Sequence, residues 1–299
     1  MTPQKSESAN TKTPRTVADG FADFAALLVP KHTRSKVAEA NLAVIKRQLE
    51  RHYTMSSLAP YGSSGHGTNV TEYSARDRFA VIPKSRLHEL SGASLAEICK
   101  LFKRKFPDAF VTEGRPVIAV PYGERLSERH HIVPAIFLGE DGGHDKFSIP
   151  APGDRWVVVC PGAHSAWINK LDKELNNNLK PFIRMVKAWS YFNKQPIWSY
   201  YLELSVADFL KKDASIIYAT DLKNFFGYMH KRNLEPFRNS AGCAKLVYGT
   251  SIAGKKTARA AIRDAVEFTV NARKWEEREM TAEAFYWLRK MFDWRFAPY

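Results

Sequence analysis

The amino-acid sequence predicts an α+β fold with two lobes. Its first half mixes strand-like apolar runs with helical periodicity, and after Pro161 apolar residues recur at the helical period almost to the end. This change of pattern favours a mixed lobe followed by a helical lobe over a repeating βαβ fold. The chain has 299 residues, enough for about two domains, and its 44% hydrophobic and 25% charged residues are typical of a folded protein.

Three segments are expected along the chain. Residues 1–19 are rich in Ser, Thr, Lys and Pro and predict a flexible leader. Residues 20–163 are expected to form the α/β lobe, including a long N-terminal helix, and residues 164–299 the helical lobe.

The first lobe opens with helical spacing. Apolar residues from Phe21 onward recur three and four apart, and Pro30 interrupts them. We therefore expect a short helix, a turn, and a long helix that ends near His52. A glycine-rich turn follows at residues 61–68, and the run 73–83 predicts a strand.

A basic amphipathic helix and further strands complete this lobe. The helix is predicted over residues 94–106, because Ser94 and Glu97 match a capping box. Prolines make residues 147–153 a predicted loop. Apolar runs of strand length predict three further strands, at residues 116–121, 130–138 and 156–160.

The second lobe is predicted from periodic apolar residues. The expected helices span residues 164–176, 179–193, 198–211, 221–232, 257–279 and 282–292. Residues 249–256 nearly spell a nucleotide-binding P-loop, but the required Ser/Thr is displaced to Thr257 and no apolar strand precedes it. We expect this segment to be a glycine loop that caps the following helix.

The charge balance favours anionic partners. The chain has 45 Lys and Arg against 31 Asp and Glu, a formal net charge of +14, and little of this excess lies in the leader. A positive field attracts nucleic acid, nucleotide phosphates or an anionic surface. Alternatively, the positive charge only keeps the protein soluble and does not indicate an anionic partner.

Targeting signals and cysteines indicate the compartment. No run reaches the roughly 20 apolar residues of a membrane span, and no apolar segment follows the N-terminal charges, so we expect neither a membrane partner nor secretion. The three cysteines are far apart and odd in number, which indicates free thiols. A cytoplasmic protein is expected.

One constellation carries recognisable chemistry. Gly62 and Ser63 are followed, after eleven residues, by Ala75 and then Asp77 on the predicted strand. Residues two apart on a strand share a face, so two carboxylates at these positions could hold two Mg²⁺ that bridge a triphosphate. The backbone of the Gly-Ser turn could cradle the phosphates. Here only Asp77 is acidic.

Further segments continue this pattern along most of residues 21–299. They are Gly62-Ser-Ser-Gly-His-Gly-Thr-Asn69, Tyr73-Ser74, Phe79-Ala-Val-Ile-Pro83, Ile132-Val-Pro-Ala135, Leu179-Lys-Pro-Phe-Ile-Arg-Met-Val-Lys-Ala-Trp189, Trp198-Ser-Tyr-Tyr-Leu-Glu-Leu204 and the stretch from Trp287 to Tyr299. Together they resemble the bacterial cGAS/DncV-like nucleotidyltransferases, the CD-NTase or SMODS family. The resemblance implies a bilobal, polymerase-β-like nucleotidyltransferase fold, a helical lobe like that of oligoadenylate synthase, and a setting of CBASS anti-phage defence.

The resemblance also implies nucleotide-binding residues. They are Gly62, Ser63, Ser74, Arg184, Lys187, Ser199 and Tyr200. Arg184 and Lys187, three apart on one helical face, would grip the donor triphosphate; a solvated basic face is the alternative. Ser199 and Tyr200 would contact the nucleotide, although Tyr200 could equally belong to the core.

The acids of the family are incomplete here. By the resemblance, the third carboxylate position falls at His131, and imidazole is a poor ligand for Mg²⁺. One carboxylate cannot hold two divalent ions against water. Asp77 is therefore expected to be a remnant of the catalytic site that binds a metal ion at most. Alternatively, Asp77 is an ordinary ion-pair partner of a neighbouring arginine. Arg76, Arg78 and Arg129 are expected to surround it and to favour direct contact with phosphate.

We therefore expect a catalytically inactive relative of these enzymes. It would bind a nucleotide, a cyclic oligonucleotide or RNA in a basic cleft. The alternatives are an active cyclic oligonucleotide synthase, with Ala75 as an engineered replacement of Asp or a rearranged acid set, and an RNA-binding module. Mg²⁺ would be a cofactor only of the active form, and no cofactor is expected otherwise. The preferred base, the oligomeric state and any effector do not follow from the sequence.

Overall fold

The computed structural model describes residues 15–30, 35–71, 73–112, 116–123, 128–237 and 246–299, except for the side chains of Ser35 and Ser64. Most of the predicted leader, residues 1–14, lies outside the described residues. The first helix begins at Val17.

The described residues form a mixed sheet and a set of helices, which confirms the predicted α+β class. The strands are β1 (Ser57–Pro60), β2 (Arg76–Val81), β3 (Phe110–Val111), β4 (Ile118–Tyr122), β5 (Glu128–Asp141), β6 (His144–Ala151) and β7 (Arg155–Val159). The helices are α1 (Val17–Leu27), α2 (Ser35–Tyr53), α3 (Ser63–His66), α4 (Ser91–Lys103), α5 (Pro161–Glu174), α6 (Leu179–Phe192), α7 (Ser199–Leu210), α8 (Tyr218–Arg232), α9 (Lys255–Glu276) and α10 (Thr281–Met291).

The sheet places β2 and β5 side by side. The strand order is β1-β2-β5-β4-β3, with β2 and β5 parallel and the other neighbours antiparallel. The 14-residue β5 then continues past an irregularity between Phe137 and Glu140 into a ladder with β6 and β7. The parallel register aligns Asp77 with His131, so both side chains leave the sheet on the same face.

The two faces of the sheet have different surroundings. Helices α2 and α4 cover one face, where Ile45, Phe102 and Ile132 belong to one buried cluster. Phe79 and Val133 lie on the opposite face, which also carries Asp77 and His131.

The helical segments share a separate core. Helix α1 belongs to this core, because Phe24 contacts Phe292 and Phe296 with ring centroids 4.5 and 5.1 Å apart. The predicted helices of this region all occur, with ends that differ by up to three residues from those expected. The predicted lobe boundaries stay predictions.

The capping box predicted for α4 is wrong. The helix begins at Ser91, so Ser94 lies inside its first turn and is buried. The Ser94 hydroxyl instead accepts a hydrogen bond from the His88 backbone N–H at 2.9 Å. Glu97 accepts hydrogen bonds from the Tyr53 hydroxyl and from the His88 ring.

The proline-rich loop predicted at residues 147–153 is mostly strand β6. Strand β6 pairs with β5 only as far as Ser148, and its last residues pair with β7 alone. Pro150 lies in this last part, where one side of the strand has no neighbour, and a proline without an N–H is tolerated there. The short strand β1, opposite β2, was not predicted from the sequence.

The cysteines differ from the expectation in one case. Cys99 is a buried free thiol, whereas Cys160 is disulfide-bonded, so the predicted free thiol is wrong for Cys160. Spacing along a chain does not report which sulfur atoms approach one another in the fold. Cys243 lies outside the described residues. Among the described helices, none combines the length and the apolar content needed to cross a membrane.

Candidate functional site

The Gly-Ser turn lies directly against Asp77. Gly62 has φ +60° and ψ −147°, a conformation open essentially to glycine alone. A Cβ at this position would lie 3.2 Å from Asp77 Oδ2. Glycine therefore lets the backbone approach the carboxylate, and the Tyr61 N–H donates to the Asp77 carbonyl at 3.2 Å. Ser63 begins the one-turn helix α3, where it is buried.

Asp77 is paired with His131, the residue that the sequence resemblance puts at the third acid position. His131 Nδ1 lies 3.1 Å from Asp77 Oδ1, in the geometry of an N–H donated to a carboxylate, and both residues are buried. Ala75, which the resemblance puts at the first acid position, immediately precedes β2 and is also buried. The structure thus brings together the three positions that the sequence singled out, with a single carboxylate among them.

These residues do not fit a pair of Mg²⁺ ions. Mg²⁺ needs an octahedral shell of oxygen ligands, whereas the described residues at these positions offer one carboxylate, with an oxygen bound to His131. Among the described residues, potential ligands converge as a group of three elsewhere, at His66, His164 and Glu203. The chemistry of a two-metal nucleotidyltransferase is therefore not supported by the groups around Asp77.

Two of the three expected arginines lie on the other face of the sheet. Arg76 and Arg78 alternate with Asp77 and align with His130 and Ile132 of β5. They lie near His130, whose pKa is lowered to about 4, chiefly by burial and additionally by the two guanidinium groups. Alternation along β2 puts their Cβ atoms on the face opposite Asp77. Arg78 Nη1 nevertheless donates to the Asp77 backbone carbonyl at 3.1 Å, and its charge acts on Asp77. The expected cationic ring around Asp77 stays a prediction.

Basic side chains nevertheless reach the Gly-Ser turn. Arg184 on α6 is half-buried and donates from Nη1 to the Gly67 carbonyl at 2.7 Å. Its Nε is buried and makes no hydrogen bond within the described residues. Lys180, one helical turn earlier, also passes close to Gly67 and pairs with Asp172 at 3.7 Å. Arg129 is exposed on the face of His131, two residues before it.

Lys187 lies behind the turn and has no exposed surface. Its ammonium donates to the Thr68 carbonyl at 2.9 Å and to Glu203 Oε1 at 2.7 Å. The Thr68 hydroxyl donates to the same carboxylate oxygen at 2.7 Å. The end of the turn is therefore held to α6 and α7 through a buried ion pair.

The carboxylate of Glu203 collects two further donors. His66 Nε2 lies 2.8 Å and His164 Nε2 3.3 Å from Oε2. Burial alone would raise the pKa of Glu203, but the Lys187 ammonium and these imidazoles outweigh it and hold the pKa well below its usual range. Burial alone would lower the pKa of Lys187, yet Glu203 raises it above its usual value. Both partners are therefore ionised at neutral pH.

His66, His164 and Glu203 have the residue types of a transition-metal site, with potential ligand atoms within 4.8 Å of one another. A divalent ion there would sit beside the fully buried Lys187 ammonium, and the added positive charge would have no compensating group. The cluster is therefore a hydrogen-bond network. The sequence signal that could have found it is a pair of charged residues, Lys187 and Glu203, inside otherwise apolar helices.

The remaining predicted residues lie around this network. Ser74 Oγ accepts from the Val70 N–H at 2.9 Å and shapes the approach to β2. Ser199 begins α7 and is partly exposed. Tyr200 packs edge-on against the ring of His164, 4.8 Å between centroids, which connects it to the network behind the turn.

Comparison with solved structures identifies the class of fold. No family model and no curated protein sequence matches the chain. The structure of Escherichia coli MS115-1 CdnC with ATP is similar, with a TM-score of 0.67 and 16% identity over 94% of this chain and 98% of that one. The Bradyrhizobium diazoefficiens CD-NTase CdnG in complex with GTP has a TM-score of 0.64 and 13% identity, covering 92% and 98% of the two chains.

A third similar structure is the Vibrio cholerae DncV cyclic AMP-GMP synthase in complex with a linear intermediate. Its TM-score is 0.60 at 12% identity, and the match covers 81% of this chain and 69% of DncV. The chain therefore has the bilobal nucleotidyltransferase fold of the CD-NTases, as the sequence resemblance implied.

Proposed function

We propose that this protein is a catalytically inactive CD-NTase that binds a nucleotide through its phosphates without divalent metal ions. The observation that carries this proposal is the pairing of Asp77 with His131 at 3.1 Å, beside Ala75. An imidazole and a methyl group stand where the chemistry needs two more carboxylates. We place the protein in the cytoplasm of a bacterium, in CBASS anti-phage defence, where it would sense, sequester or scaffold.

The phosphates would lie on the turn that ends at Gly67. The half-buried guanidinium of Arg184 is fixed at this turn by its bond to the Gly67 carbonyl, and the part of it that stays exposed can meet a ligand. Guanidinium groups bind phosphate oxygens through several N–H donors at once. The similar structures contain ATP, GTP or a linear dinucleotide, so nucleoside triphosphates and oligonucleotides are the ligand class that we propose.

Lys187 would act on the phosphates only through the turn. Its ammonium is buried and bound to Thr68 and Glu203, so it fixes the backbone that meets the ligand. Ser63 and Ser74 would likewise shape this backbone, and Tyr200 and Ser199 would border the nucleoside. Arg184 thus becomes the cation that we assign to direct phosphate contact.

The proposal is tested first by product formation. The protein is incubated with labelled NTPs in Mg²⁺ or Mn²⁺, and no oligonucleotide product is expected, because the acids cannot hold two ions. A cyclic product that disappears in the Asp77→Ala variant would overturn the inactive assignment and establish the active synthase instead.

Binding is tested separately by calorimetric titration with ATP in EDTA and in Mg²⁺. Binding that persists in EDTA is expected. Arg184→Gln should weaken it by about tenfold, the loss of one charge-assisted contact. Arg76→Gln removes the same charge on the opposite face of the sheet and should leave the affinity unchanged. Equal losses in both variants would contradict the proposed site.

A further inference from the structure

A basic cavity lies on the helical lobe, between the end of α8 and the start of α9. It has a volume of about 660 Å³, within the usual range of small-molecule sites. Its charged and titratable lining residues are His230, Lys255, Lys256, Arg259 and Arg263. None of them belongs to the turn at Gly62 or to α6.

The cations of this cavity lack acidic neighbours within its walls. No Asp or Glu is among the described residues that line it. Arg263 alone among them forms an ion pair within the described residues, with the adjacent and exposed Asp264 at 3.3 Å. The four Lys and Arg residues occupy nine consecutive positions, about 12 Å of helix axis, so they repel one another and attract a ligand with several negative charges.

The cavity also has an apolar wall. Ile252 supplies its accessible part, with 96% of its surface exposed, whereas Met229 and Ile262 are buried behind it. A ligand that combines phosphates with an apolar or aromatic body would use both the basic and the apolar surfaces. A nucleotide has this combination, whereas an inorganic phosphate chain does not.

The segment that nearly spells a P-loop forms part of this cavity. As expected from the sequence, its glycine Gly254 is the N-cap of α9, and its last two residues, Lys255 and Lys256, begin the first turn of that helix. At its other end, the Gly249 carbonyl accepts from the Trp198 N–H at 2.8 Å. Trp198 is the N-cap of α7, so the cavity loop is bonded directly to the helix that carries Ser199.

We propose that this cavity is a second, separate binding site for a nucleotide with two or more phosphates. Arg259 and Lys256 contact the phosphates, and the apolar wall covers the base. The connection to α7 places the ligand where it can influence the candidate nucleotide site at the Gly-Ser turn. The proposal stands whether or not that first site binds a nucleotide.

The test uses the full chain carrying Arg184→Gln, titrated with ATP in EDTA by calorimetry. The cavity should still bind one equivalent of ATP, while the site at the Gly-Ser turn binds ATP about tenfold more weakly than in the wild-type protein. Adding Lys256→Gln and Arg259→Gln should weaken the binding at the cavity by at least about tenfold. The matched control adds Lys100→Gln and Lys103→Gln, which remove two exposed charges from α4 and leave the net charge identical. The control should bind as its parent does, and circular dichroism verifies that all variants are folded.

Two results would overturn the proposal. One is a failure of the Arg184→Gln protein to bind ATP, or an equal affinity of the cavity variant and the control. The other comes from inorganic tripolyphosphate: if it binds as tightly as ATP, the base makes no contact and the site is not a nucleotide site. Weaker binding of tripolyphosphate, lost in the same cavity variant, supports the assignment.

Discussion

Replacing Glu203 by Gln removes the negative charge from the network behind the Gly-Ser turn. Lys187 has no exposed surface and its ammonium lies 2.7 Å from the Glu203 carboxylate, so the substitution leaves a buried ammonium without a counter-charge. Breaking a buried ion pair from one side costs about 3–5 kcal/mol of unfolding free energy. For a chain of this size, that loss corresponds to a decrease in Tm on the order of 10 °C.

Urea and thermal unfolding, followed by circular dichroism, measure this loss. The matched control is Glu267→Gln on α9, an exposed glutamate whose substitution should change stability by less than about 0.5 kcal/mol. The double variant Glu203→Gln/Lys187→Met removes both charges and should recover most of the stability. If Glu203→Gln is no less stable than the control, Lys187 is not held by this pair and our account of the turn is wrong.

The stabilities of the wild-type protein and of the Glu203→Gln variant should change with pH in opposite directions. In the wild-type protein the pKa of Lys187 is raised, so the stabilisation from the pair is present at neutral pH and is lost as the pH rises through that value. Without Glu203, burial lowers the pKa of Lys187 below its value of about 10.4 in the unfolded chain, so the stability of the variant rises with pH up to that range. Parallel pH profiles of the two proteins would contradict the assignment.

Three further predictions concern the turn and the acids. Gly62→Ala forces a side chain into a conformation with φ +60° and against Asp77, and should cost about 1–3 kcal/mol in urea unfolding; an unchanged midpoint would show that the turn is not constrained. Ala75→Asp combined with His131→Asp should create Mn²⁺ binding, measured by electron paramagnetic resonance, that the wild-type protein lacks; no binding in the double variant would mean that these positions do not converge on a metal. EDTA should leave the Tm of the ATP-bound wild-type protein unchanged, and a decrease would indicate a required ion.

The sequence predicted the class of fold because its apolar periodicity is strong. The helices of the second lobe follow repeated apolar spacing, and the structure contains each of them. Strand β6 was not predicted, because its prolines are typical of a loop. Pro150 is tolerated in the strand because it lies beyond the residues of β6 that pair with β5. The cap of α4 was misplaced for a similar reason, since Ser94 hydrogen-bonds to His88 outside the helix rather than capping it.

The sequence predicts where the candidate site lies in the chain, but not which charged groups contact one another there. The turn at Gly62 and the strand of Asp77 follow from local pattern, but the contact of Asp77 with His131 depends on the register of two strands that are distant in sequence. Alternation along β2 puts Arg76 and Asp77 on opposite faces of the sheet. The burial of Lys187 depends on the packing of α6 against α7, which motif order does not report.

We propose that the pocket at Asp77 binds phosphate without divalent ions. The most direct measurement is a crystal structure of the protein with ATP and Mn²⁺, with anomalous diffraction to locate the metal. We predict that the phosphates contact the turn at residues 62–67 and Arg184, that His131 remains bonded to Asp77, and that no anomalous peak lies between Asp77 and the phosphates. Two Mn²⁺ ions bridging Asp77 and the triphosphate would contradict it.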